Sequence, residues 1–218
     1  MIDSHCHLEQ KDFEKDRDYV IERCKEELKG VVSCATNLSE FEILMEIISK
    51  HKGFVFGCAG IHPEYVKSLS DKDLELVFEK IKANKDRLVG IGEVGLDYYW
   101  IKEENWRKKQ KEMFVEFINF SKEMDMPLVV HSRDAYEDAL KMLEQFDVKK
   151  CLLHLFGGEN LIQRVIENSF YISFGPILLV SKKHQKMVEK MPLDLILVET
   201  DSPWNCLLYT SPSPRDRQ

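Results

Sequence analysis

Six side chains of metal-binding type fall at or near the ends of short apolar runs. His5 and His7 lie in Ser4-His5-Cys6-His7, and Glu93 lies in Gly90-Ile91-Gly92-Glu93-Val94-Gly95. His131 follows Pro127-Leu128-Val129-Val130, His154 follows Leu152-Leu153, and Asp201 follows Leu197-Val198-Glu199-Thr200. Residues two apart on a strand point to the same face, so the imidazoles of His5 and His7 can reach one ion. The glycines around Glu93 are expected to leave room beside its carboxylate. Taken singly, a strand-end histidine is more commonly a hydrogen-bonded core residue. A buried carboxylate without a partner is costly, so it is normally paired with a base or a metal. Six such residues at equivalent ends of five runs favour the metal. Six ligands exceed one tetrahedral zinc and suit two adjacent divalent ions, with the two oxygens of Glu93 able to bridge them. Four imidazoles suit zinc or manganese better than magnesium, and the choice among the three stays open.

Other residues carry alternatives. His62, in Gly60-Ile61-His62-Pro63, either faces the same site or is a turn residue before the proline. Arg133 either clamps a phosphate with its planar fork or pairs with Asp134 or Glu137. His51 and His184 read as surface residues. Cys6 and Cys151 have no evident base beside them and read as packing residues. Lys108, Lys109 and Lys111 read as a solvated helix face. Trp100 and Trp106 are expected to cover the protein body rather than stack on a base.

These residues need a scaffold that brings strand ends together. Eight Val- and Ile-rich runs read as strands: Met1–Leu8, Gly30–Thr36, Phe54–His62, Leu88–Asp97, Pro127–Arg133, Cys151–Phe156, Phe170–Gly175 and Leu195–Asp201. The segments between them carry helical periodicity, as in Val20, Cys24 and Leu28, or Met113, Phe114, Phe117 and Phe120. Ser39-Glu40-Phe41-Glu42 reads as a capping box, and Ser70 as a helix start. Alternating strands and helices imply a parallel sheet. Eight strands, with no glycine-rich nucleotide loop after the first, favour a closed α/β (β/α)8 TIM barrel over an open sheet. In such a barrel the strand C-termini share one mouth, where active sites sit.

Composition narrows the class. Hydrophobic residues make up 44% of the 218 residues, enough for a folded core rather than a disordered chain. The net charge of -7 argues against coating nucleic acid through a broad basic face. It leaves room for an enzyme that holds phosphates through bound cations. The sequence contains no apolar run of membrane-spanning length and no secretory signal pattern. Its cysteines form no Cys-x-x-Cys pair, so a reduced, cytoplasmic setting is expected. Residues 1–205 read as a single barrel domain. Residues 206–218, CLLYTSPSPRDRQ, resemble a translated sequencing adapter and are expected to be a non-native tail.

The pieces MIDSHCHL, CAGIHPEYV, GIGEVGLDYY, PLVVHSRDA, LLHLFGG, YISFGP and LVETDSPW occur in that order between Met1 and Trp204. Together they resemble the TatD family of metal-dependent deoxyribonucleases. The resemblance implies that His5, His7 and Asp201 hold one ion, that His131 and His154 hold the other, and that Glu93 bridges them. It places His62 near the scissile phosphate. It implies hydrolysis of phosphodiester bonds, often from the 3′ end of single-stranded DNA, by a protein expected to act as a monomer. Asp201 and Glu93 are the expected catalytic carboxylates; His62 and Arg133 are the expected substrate contacts. Against the family pattern, the final barrel helices are expected to be missing. Three alternatives stand beside this one: a deacylase acting on D-aminoacyl-tRNA, another ester or amide hydrolase of the same barrel group, and an inactive fragment or metal-binding scaffold. Many relatives in that group use a carboxylated lysine on the fourth strand, where this chain has Glu93.

Overall fold

The strand ends bring the chemistry together because the strands run parallel and in sequence order. The computed structural model describes residues 1–204. Its sheet has eight strands in the order β1 to β8: Ile2–Cys6, Gly30–Ala35, Val55–Ala59, Leu88–Asp97, Leu128–Arg133, Cys151–Leu153, Tyr171–Phe174 and Ile196–Val198. Every consecutive pair is parallel. The intervening helices are α1 (Arg17–Glu27), α2 (Leu38–Lys50), α3 (Asp71–Ala83), α4 (Glu104–Met124), α5 (Tyr136–Gln145), α6 (Ile162–Glu167) and α7 (Lys182–Lys190). The architecture is a nearly closed (β/α)8 barrel.

The last strand meets the first through side chains and loop backbone. Ser4 Oγ donates to the Val198 carbonyl at 2.9 Å. The Thr200 N–H and hydroxyl donate to the two oxygens of Asp3 at 3.0 and 2.6 Å. Asp201 N–H then donates to the His5 carbonyl, and His7 N–H to that of Ser202. This seam holds Asp201 beside His5 and His7. Its outer flank carries apolar surface, since Ile2 and Val198 are about half exposed.

Two apolar groups support the mouth. The larger one packs helices onto the outside of the barrel, with Phe114, Phe117 and Ile118 of α4 fully buried. The smaller comprises Cys34, Cys58, Val129 and Leu152. Val129 and Leu152 precede His131 and His154 by two residues and so share their face. This cluster is the floor beneath the histidines.

The expected strands are present but several end early. β3 stops at Ala59, β6 at Leu153 and β8 at Val198, so His62, His154 and Asp201 lie just past the ladder. Left-handed backbone accompanies this turning away, with φ of 42° at Leu155 and 54° at Asp201. The start of α2 also differs. Asn37, not Ser39, is its cap and accepts the N–H groups of Ser39 and Glu40. The Glu40 carboxylate reaches back to the Thr36 N–H at 2.8 Å. Ser70 does form a capping box, with Asp73. Helix α7 has no counterpart in the apolar periodicity because its buried side includes His184 beside Met187. The tail expected at 206–218 lies outside the described residues.

Candidate metal centre

Glu93 is the hub. It sits on β4, almost fully buried, and its two oxygens face different histidines. Oε2 lies 3.4 Å from His5 Nε2 and 3.5 Å from His7 Nε2. Oε1 lies 2.8 Å from His131 Nδ1 and 3.1 Å from His154 Nε2. Asp201 Oδ1 joins the first group, 3.6 Å from His5 Nε2 and 3.3 Å from His7 Nε2. The structure thus brings together His5, His7, Glu93, His131, His154 and Asp201.

The spacing fits a cation. The Nε2 atoms of His5 and His7 approach to 3.2 Å. With the separations above, five distances among four ligand atoms run from 3.2 to 3.6 Å. Bonds of about 2.0–2.2 Å around a tetrahedral ion place its ligands about 3.3–3.6 Å apart. Each histidine also has a defined partner on its outer nitrogen. His7 Nδ1 meets the Cys34 carbonyl at 2.8 Å, and His5 Nδ1 meets Cys34 Sγ at 3.4 Å. His131 Nε2 meets Asp97 Oδ2 at 2.8 Å, and His154 Nδ1 meets Glu199 Oε1 at 3.1 Å. An outer N–H donated to such an acceptor leaves the inner lone pair for a metal.

Charge points the same way. Glu9, Glu93, Asp97 and Glu199 are buried, and among the described residues their side chains pair with histidines rather than with lysine or arginine. Glu9 Oε1 meets His7 Nδ1 at 3.4 Å, and Glu199 Oε2 has no hydrogen-bond partner among the described residues. Such a concentration of buried carboxylate requires cations, as protons or as metal. Burial opposes ionisation of Glu93, yet the charge of His154 and hydrogen bonds from His131 and His154 hold its carboxyl well below the usual range. Asp201 is lowered in the same way, by its bond to His7 against burial. Burial disfavours the charged histidines, but bonds to Asp201 and Glu9 raise His7 well above the ordinary value. Glu93 and Glu199 do the same for His154, and Asp97 and Glu93 raise His131.

His62 both caps a turn and faces the site. It caps the turn at Pro63–Lys67, with Nδ1 accepting the Glu64 N–H at 3.3 Å. Its Nε2 lies 3.7 Å from Glu93 Oε1. Burial and the neighbouring His131 push its pKa down to about 3, so it is neutral near pH 7. With Nδ1 accepting, the hydrogen sits on Nε2, which faces the cavity as a donor. Arg133 also lines this cavity, of about 650 Å³. Its guanidinium stacks over the Tyr99 ring at 3.9 Å, while Glu137 pairs with Arg164 instead.

Several expectations are corrected. His51 is buried, ending α2 with Nε2 3.0 Å from Asp18 Oδ1. Its carbonyl accepts the N–H groups of Phe54 and Val55 and so anchors β3. His184 is buried too and lines the cavity. Trp100 covers nothing, being 59% exposed at the cavity rim. The glycines flanking Glu93 do not open space beside its carboxylate. A Cβ at Gly92 would lie 2.5 Å from the Val129 carbonyl oxygen, and one at Gly95 2.1 Å from that of His131. They let β4 approach β5 closely.

Other expectations hold. Lys109 and Lys111 pair with Asp71 and Asp138, as a solvated face should. Cys6 and Cys151 are buried, and burial raises both thiol pKa values. Asp97, Glu9 and Glu199 escaped attention in the sequence. All three lie within four residues of motif residues already singled out, and a carboxylate near a metal histidine is the signal that finds them. Gln110 of α4 is another omission. It is fully buried and donates to the carbonyls of Pro63 and Asp97, tying the turn after His62 to the end of β4.

Residues 2–214 match the TatD related DNase family. Human deoxyribonuclease TATDN3 is 34% identical over 213 residues, covering 93% of this chain and 78% of that protein. An uncharacterized metal-dependent hydrolase of Methanocaldococcus jannaschii is 35% identical over 208 residues, covering 93% and 78%. The crystal structure of YjjV, a TatD homologue from Escherichia coli K12, superposes with a TM-score of 0.86 at 23% identity. That match covers 94% of this chain and 80% of that one.

Proposed function

The chain belongs to the TatD family of metal-dependent hydrolases acting on ester bonds, and from that membership we propose that it cleaves phosphodiester bonds of single-stranded DNA from the 3′ end, using two divalent ions. His5, His7 and Asp201 would hold one ion, His131 and His154 the other, with Glu93 between them. The observation that carries this reading is the opposed pair of Glu93 oxygens, each facing its own pair of histidine nitrogens.

Divalent ions bound there supply an acidified water and positive charge against the phosphate. The protein's own groups do the rest. Asp201 stays ionised in its histidine surroundings and sits at the edge of the site as proton acceptor. Glu93 holds the two ligand sets at a fixed separation. The neutral His62 offers its Nε2–H to a phosphate oxygen. Arg133, braced by Tyr99, supplies a planar cation for the next phosphate along the strand. A fixed arrangement of these groups needs no reorganisation during reaction. The acidic surface is compatible with DNA because the attraction originates at the cation-loaded mouth.

The test compares three substrates with the metal-loaded protein: 3′-labelled single-stranded DNA, the same strand in a duplex, and D-aminoacyl-tRNA. Stepwise release of nucleotides from the 3′ end of the single strand is expected, with Asp201→Asn reducing it by at least 100-fold. Preferential deacylation of the tRNA would overturn the DNA reading, and an unaffected Asp201→Asn rate would remove Asp201 from the mechanism.

A further inference from the structure

The cavity mouth bears two tryptophans that the metal chemistry does not use. Trp100 and Trp204 both line it and are about 60% exposed. One exposed aromatic ring is ordinary, but two at the mouth of a single polar cavity, beside an arginine, mark a contact surface. Both are tethered through their backbone N–H groups, Trp100 to the carboxylate that partners His131 and Trp204 to the candidate ligand Asp201. The Trp100 N–H donates to Asp97 Oδ1 at 2.7 Å, while the other oxygen of that carboxylate meets His131. The Trp204 N–H donates to the Asp201 carbonyl at 2.8 Å, closing a turn three residues beyond that ligand. The main chain at both residues is therefore fixed close to the centre, and both side chains line the cavity.

The neighbours of Trp100 separate two kinds of contact. The adjacent Tyr99 meets it edge-on at 4.8 Å, while Arg133 and Lys102 lie over the Tyr99 ring at 3.9 and 5.2 Å. The faces of Tyr99 are engaged with cations. Trp100 has its surface open, with Arg133 more distant at 5.7 Å. The rim thus offers aromatic surface next to a positively charged fork, the pairing that proteins use to hold unpaired nucleic acid. Trp106, by contrast, is only partly exposed on α4 and does not line the cavity.

We propose that Trp100 and Trp204 form an aromatic clasp that stacks the bases of unpaired DNA, placing the linking phosphate over Glu93 and within reach of Arg133. The proposal rests on the reading of DNA as substrate and gives its strand preference a physical cause. In a duplex every base inside the ends is stacked on both faces and the terminal ones are held by their pairs, so the clasp has little to grip. Stacking on an aromatic side chain contributes roughly 1–3 kcal/mol per base, about 5- to 150-fold in affinity.

The test is binding by full-length Asp201→Asn protein in the presence of manganese, read by fluorescence anisotropy. The probes are a labelled ten-residue oligothymidylate, an abasic strand of equal length and charge, and a duplex. The parent is expected to bind the oligothymidylate at least 5-fold more tightly than either other probe. Replacing both tryptophans with alanine should abolish that preference, and replacing both with phenylalanine should keep most of it, which separates stacking from folding. A preference that survives in the alanine variant, or is absent in the parent, overturns the proposal. Hydrolysis by protein with Asp201 intact is scored separately. A clasp that binds as expected in a protein that cleaves no DNA would leave the proposal standing and sink the nuclease reading.

Discussion

Asp97→Asn tests whether the outer carboxylates orient the histidines. Oδ1 of Asp97 accepts the Trp100 N–H at 2.7 Å, and Oδ2 faces His131 Nε2 at 2.8 Å. An asparagine must keep its oxygen toward the Trp100 N–H, because its amide nitrogen cannot accept that bond. The amide NH2 then points at His131 Nε2, which is forced to accept. The remaining ring hydrogen moves to Nδ1, the nitrogen that faces Glu93 at 2.8 Å. The lone pair meant for an ion is lost unless the ring turns or the cap at Trp100 breaks. Outer-shell changes of this kind cost about 10- to 100-fold in metal affinity or activity, equivalent to about 1.4–2.8 kcal/mol. The assay is competition for zinc or manganese against a chromogenic chelator, with thermal melting of the metal-free variant as a control for folding. The weaker of two binding steps should shift by at least 10-fold while the other changes little, because His5, His7 and Asp201 do not touch Asp97. Wild-type affinity at both steps would refute the orienting role.

Two further outcomes are expected. Gly95→Ala should lower stability by about 3 kcal/mol or more, seen as a reduced urea midpoint, because its Cβ would collide with the His131 carbonyl and its φ of 137° disfavours any side chain. In metal-free protein, His7, His131 and His154 have raised pKa values, so their stabilisation is complete below the ordinary histidine value and is lost as pH rises through the raised ones. Glu93, Asp97 and Asp201 are lowered, so theirs is present above the ordinary carboxylate range and is lost as pH falls through the lowered values. His62, held neutral down to about 3, opposes the acid side by favouring the unfolded chain as pH drops below about 6.5. Metal needs deprotonated imidazoles. The gap in melting temperature between metal-loaded and chelator-treated protein should therefore widen from pH 6 to pH 8.5; a constant gap would show that the histidines do not exchange protons for metal.

The barrel is readable because its strands are short Val-, Ile- and Leu-rich runs separated by helical patterns, a rhythm that burial on both faces imposes. The convergence of the histidines is readable because strand periodicity puts His131 two residues after Val129 and His154 two after Leu152, at equivalent heights. What escaped depends on tertiary placement. Asp97 ends β4 and looks like any acidic residue at a strand terminus until His131 on the neighbouring strand is set against it. His184 sits in a lysine-rich segment that reads as exposed, yet α7 turns that side chain inward. The glycines around Glu93 announce that something comes close without saying what; the answer is the β5 backbone. Trp100 reads as a cover because a tryptophan near a barrel is most often one, and only its exposure at the rim shows otherwise.

In the proposed reading Glu93 joins two cation sites. The most direct measurement is metal stoichiometry, by elemental analysis and calorimetric titration of the wild type and of Glu93→Ala. Two ions per chain are expected for the wild type, with both binding steps weakened together in the variant. One ion per chain in the wild type, or a variant that loses one site while the other keeps its affinity, would contradict the bridge.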